Sequence, residues 1–91
     1  MKTIKKIVVI YQRAGYNDEH HHSEHTTIAE ANKEARWLAK VIRDGQGCPN
    51  IKQWHNIRVE KQIFELVDGE LELVDSFTPQ SGYAASVKGI I

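Results

Sequence analysis

Residues 18 to 25 read DEHHHSEH, which gathers four of the chain's five histidines and three carboxylates into eight positions. Imidazoles at that density suggest two chemistries. If the segment were helical, His21 and His25 would lie four apart on one face, the spacing by which two rings grip one zinc ion, with His22 and His25 as a second pairing. Zinc takes three or four ligands, so the set has to be completed from elsewhere. Cys48 and His55 are the soft candidates, and Asp18, Glu19 and Glu24 are placed to ligate or to orient the rings. The second chemistry is protonation, since clustered imidazoles titrate at about pH 6 to 7 and would add positive charge to a neutral chain. A third reading needs no chemistry: a polar loop with solvated rings. All three predict that the segment is an exposed loop.

Other reactive arrangements are weaker. Cys48 and His55 pair a thiol with a base, but Cys48 precedes Pro49 in a glycine-rich turn with no helix start to activate it. Glu65 and Glu72 face each other across a predicted hairpin, the relation of a general acid to a base, and on an exposed strand pair also that of two solvated carboxylates. Gly45 and Gly47 follow a helix, whereas a phosphate cradle leads into one. Trp54 and His55, with Tyr11, Tyr16 and Lys52, could stack on bases, although Trp54 reads more simply as a lid on the core. The chain is therefore read as non-enzymatic.

Length and charge narrow the field further. Ninety-one residues support one core. So small a core leaves little room for the several hundred cubic ångströms an organic cofactor occupies, so none is expected beyond the zinc just considered. One cysteine excludes an internal disulfide. The apolar run Ile7 to Ile10 is too short for a signal peptide or a membrane span, and the expected location is the cytoplasm. Residues 1–56 carry nine Lys/Arg against six acids and residues 57–91 three against six, which leaves the chain neutral overall. Nucleic acid is accordingly not the expected partner, and the basic N-terminal half is the only route to it.

These groups need elements to hold them. Lys2 to Tyr11, dense in Ile and Val, predicts a strand buried on both faces around Ile7 to Ile10. Residues 12–26 show no period and read as a long loop, as do residues 45–56. Between them Thr27 and Glu30 form a capping box. Ile28, Ala31, Ala35, Leu38 and Ile42 then make one apolar stripe that Trp37 and Val41 widen, and Gly45 supplies the stop. FELVDGELEL predicts a hairpin about Asp68-Gly69, pairing Val67 with Glu70, Leu66 with Leu71, Glu65 with Glu72, Phe64 with Leu73 and Ile63 with Val74. Phe64, Leu66, Leu71 and Leu73 share a face and are expected under the helix.

The segments TIAEANKEARWLA and IFELVDGELELVDSF resemble small uncharacterised proteins of Gram-positive bacteria and their phages, which pair a T-x-x-E-A helix with an ELVDGE-type hairpin. The resemblance covers about half the chain. It implies an α+β fold and binding to another macromolecule, and it brings no catalytic residues.

The sequence thus predicts one α+β domain over residues 1–77, β-α-β-β, with a three-stranded, mainly antiparallel sheet and one helix packed on one face. The expected strand order is first, third, second, with LELVD central, and the alternative places the first two strands parallel and adjacent. Residues 78–91 form a tail, flexible or folded back on the sheet. The expected function is protein binding, to a basic partner or a second copy, through Ile63, Glu65, Val67, Glu70, Glu72 and Val74, apolar residues inside an acidic rim. The alternatives are a metal- or pH-responsive role through residues 18–25 and nucleic-acid binding through the basic half.

Overall fold

In the computed structural model, which describes residues 2–13, 19–44 and 54–89, one antiparallel sheet of five strands carries a single helix on one face. The elements are β1 (Thr3–Arg13), β2 (Glu19–His25), α1 (Ile28–Arg43), β3 (Trp54–Val67), β4 (Glu70–Phe77) and β5 (Ala84–Lys88). The α+β class and the packed helix agree with the sequence reading. The strand count does not.

Two strands went unpredicted. The histidine segment is β2, paired with β1 at the sheet edge, and the tail supplies β5, paired with the first part of β3. β2 changes the topology, because it turns the chain back before the helix and so brings β3 in antiparallel to β1. The order is β2-β1-β3-β4, with β5 beside β3. The central strand is therefore β3 rather than LELVD, and no parallel pair exists among the described strands.

The helix begins where its cap predicts. Thr27 Oγ1 accepts from Glu30 N at 3.2 Å, while the Glu30 carboxylate takes the Thr26 hydroxyl at 3.3 Å, so only the threonine half of the expected capping box is formed. Ala31, Ala35, Leu38, Ala39 and Ile42 are buried against Val9, Ile57 and Val59, and the alanines let the helix axis sit close to the sheet. Trp37 lies outside this stripe and is exposed, and so is Trp54, which at 52% exposure does not fit the reading of it as a lid.

Asn32 is the one buried polar residue of the helix, and it explains how the tail is held. Its Nδ2 donates to Ser81 O at 2.9 Å and its Oδ1 accepts from Tyr83 N at 2.8 Å, while Tyr83 O accepts from Val59 N at 2.8 Å. The clasp sets the chain into β5. Asn32→Ala strands two backbone groups and is expected to cost about 2 kcal/mol, read by urea unfolding, with loss of amide protection concentrated in β5.

On the helix side the odd-numbered residues of β1 and β3 meet α1. On the other side Val8 and Ile10 are equally buried, and Glu60 and Arg58 stand directly across from them. Arg58 donates to Glu60 at 2.9 Å and to Glu19 at 2.8 Å, and Gln62 donates to Glu60 at 3.1 Å. Long polar side chains thus cover this part of the sheet without a second helix.

Candidate functional site

Among the described residues no helix covers the β3–β4 hairpin, which β1 flanks on one side as far as Glu65. Asp68 and Gly69 both take positive φ, 51° and 82°, which is the type I′ geometry expected of Asp-Gly. The register from Val67–Glu70 to Phe64–Leu73 is as the turn predicts. It breaks at Ile63, which pairs with Asp75 instead of Val74, so that Val74 is the extra residue of a bulge.

α1 touches β1, β2, β3 and β5, and stops short of β4. The molecule is correspondingly long, 47 × 26 × 20 Å. Parity along β3 places Ile57 and Val59 toward the helix, so Ile63, Glu65 and Val67 lie on the helix side, and Phe64 and Leu66 on the opposite side. The expectation that Phe64, Leu66, Leu71 and Leu73 lie beneath the helix is thereby overturned. The helix follows the odd residues, and it makes no contact with β4.

Those four residues instead form an open apolar strip. Leu66 is 38%, Leu71 44% and Leu73 53% exposed, and every residue of β4 is exposed, Val74 and Phe77 included. Phe64 has the ammonium of Lys6 over its ring at 5.3 Å. Among the described residues no polar network comparable to that of Arg58 reaches the leucines. The helix side of the hairpin is acidic, with Glu65 directly across from Glu72 and Glu70 across from Val67. Residues 62–77 contain five acids and no Lys or Arg. Lys5 stands across from Ile63 on β1. Like charges placed opposite one another destabilise a strand pair, so β3 and β4 are held together in spite of these carboxylates.

The histidine segment is ordered and divided. A bulge between Ser23 and His21 shifts the register of β2 on β1, which sends His25 and His21 to opposite faces. His22 donates to Glu34 at 2.9 Å and stacks beside Trp37 at 6.3 Å between centroids. His25 shares a hydrogen bond of 2.7 Å with Ser23, and His20 stacks on Tyr11 at 4.8 Å. His21 is exposed, 3.8 Å from Glu24. Each ring has a different neighbour. The helical spacing that made His21 and His25 a zinc pair does not apply in a strand, and among the described residues no three His, Cys, Asp or Glu converge as metal ligands. Asp18 and Cys48 lie outside the described residues, as do Tyr16, Lys52 and the glycines at 45 and 47.

His55 belongs to another place, across from Arg13 and 6.5 Å from the Tyr11 ring. It is 1% exposed, and among the described residues neither ring nitrogen has a hydrogen-bond partner. Burial, and after it the charge of Arg13, lowers its pKa below the ordinary 6.5. His25, Glu30, Lys33, Glu34 and Trp37 line an open groove of about 450 Å³ between β2 and α1, with charges of both signs.

No protein-family model, no curated protein and no solved structure matches the chain. No helix among the described residues is long and apolar enough to cross a membrane.

Proposed function

We propose that this chain is a small non-enzymatic binding module for another protein, and that the β3–β4 hairpin is its docking element. The observation that carries this reading is β4 itself: eight residues, all exposed, with Leu71, Leu73, Val74 and Phe77 among them. Exposed apolar side chains scattered singly are ordinary, whereas a contiguous strip bordered by polar residues marks a contact surface. The polar network over Val8 and Ile10 is how this fold covers a sheet face it keeps to itself. Among the described residues the hairpin leucines have no such cover.

Both sides of the hairpin enter the reading. Phe64, Leu66, Leu71 and Leu73 supply the apolar contact, and Ile63, Glu65, Val67, Glu70, Glu72 and Val74 the acidic side. Charge decides between the two occupants. Two copies meeting hairpin to hairpin would bring five acids against five, whereas a partner with lysines or arginines beside apolar residues would relieve the opposition of Glu65 and Glu72.

The test is photo-crosslinking in cells with a photoreactive side chain at position 71, and at the exposed helix position 40 as control. The expected result is one discrete heterologous adduct from position 71, identified by mass spectrometry and lost when Leu73 is changed to Glu. Equal adducts from positions 71 and 40, or none from 71, would overturn the reading, and an adduct of the chain with itself would replace the partner by a second copy.

A further inference from the structure

The free edge of β4 carries an inference about how the partner is held, which rests on the binding role proposed above. β4 pairs with β3 along one side, and among the described strands none follows it on the other. Open edges invite further pairing, and proteins commonly blunt them with lysine, proline or a bulge. From Glu70 to Leu73 this edge has no lysine and no proline, and the bulge comes only at Val74. What guards it is a pair of carboxylates. Glu70 and Glu72 stand on the helix side, with Leu71 and Leu73 on the other.

That guard is selective. A second copy added antiparallel keeps its faces aligned, so its Glu70 and Glu72 would meet the same residues across the new pair, where like charges are unfavourable. Parallel addition of a second copy would turn it over and set carboxylates beside leucines. A strand with lysine or arginine at alternate positions reverses the sign of the first interaction, and its intervening apolar residues would stand beside Leu71 and Leu73. We propose that β4 takes up, by strand addition, an extended segment of a partner protein in which basic and apolar residues alternate. Main-chain hydrogen bonds would supply the affinity common to all strands, and the two carboxylates would choose among them.

The test uses synthetic peptides of about eight residues, long enough to span β4 at ~3.4 Å per residue. One alternates Lys and Val, one alternates Glu and Val, and one holds the first composition as a lysine block followed by a valine block. They are titrated into the whole, isotopically labelled chain, and amide exchange is followed residue by residue. The expected result is that the alternating Lys/Val peptide slows exchange of the β4 amides not bonded to β3 by at least about tenfold, the others leaving them unchanged. The double variant Glu70→Lys/Glu72→Lys is expected to lose about tenfold in affinity for that peptide and to prefer the Glu/Val one. Equal binding of the alternating and block peptides without edge protection would overturn strand addition. If the edge stays unprotected while the position-71 adduct forms, the binding role stands and this inference falls; if both are absent, both fall.

Discussion

Changing Leu71 and Leu73 together to threonine is expected to leave the unfolding free energy within about 0.5 kcal/mol of the parent, because exposed side chains contribute little to folding. Threonine also keeps the β preference of the strand. The same double change is expected to reduce association with the partner by a factor of about 30 or more, since apolar residues at the centre of an interface commonly cost at least 1 to 2 kcal/mol each when removed. Urea unfolding and the yield of the position-71 adduct are the two measurements. Their divergence is the signature. If the leucines were core residues, as the sequence pattern taken alone predicts, each would cost about 2 to 5 kcal/mol of stability on removal. A matching loss of stability and binding would therefore mean that the hairpin is covered within the chain and has no surface to offer.

The opposition of Glu65 to Glu72 gives a companion result with the opposite sign for stability. Glu72→Lys converts a repulsive cross-strand pair into an attractive one and is expected to stabilise the fold by up to about 1 kcal/mol, read as a higher melting temperature, while weakening binding of the basic partner. Such a change improves the fold and harms the contact. A residue retained only for solvation would show no such trade.

The parts of this fold that were legible in the sequence are those specified locally. Thr27 ahead of an apolar stripe located α1, and Asp68-Gly69 fixed a turn and, through it, the register of four pairs. β2 was hidden because an edge strand with one ladder and no core face does not need alternating apolar residues; its rings meet Glu34, Ser23 and Tyr11 instead. β5 was hidden for a related reason, being short and rich in alanine and serine, and held by the distant amide of Asn32. Missing β2 reversed the inferred direction of the chain into β3, and the strand order followed that error. The candidate site was legible as residues but not as surfaces. Pairing put Phe64 with Leu73 and Glu65 with Glu72 correctly, yet which face the helix would take depended on Ile57 and Val59, far along the same strand.

His55 is where the sequence suggested a metal ligand and the structure supports a different consequence, one that can be measured as stability against pH. Its ring is fully buried on the helix side, with Tyr11 and Arg13 of β1 against it and Val87 of β5 on its other flank. Its pKa is lowered in the folded chain, chiefly by burial and further by Arg13, so the folded state binds the proton less readily than the unfolded state does. Stability from this residue is accordingly whole above the ordinary value of 6.5 and declines as the pH falls below it, until the folded-state value is reached. The slope can be at most about 1.4 kcal/mol per pH unit for one such group. His55→Leu removes both the titration and two ring nitrogens that have no hydrogen-bond partner among the described residues. At pH 7.5 the variant is expected to be at least as stable as the parent, because a buried polar group without a partner costs about 1 to 3 kcal/mol. Below about pH 6.5 its advantage should widen, since only the parent takes up a proton at this site on unfolding. Thermal unfolding of both chains across that range isolates the effect from the other histidines, which the two share. Parallel stability curves would show that the buried ring already has a partner for its proton, and would return His55 to the list of candidate ligands.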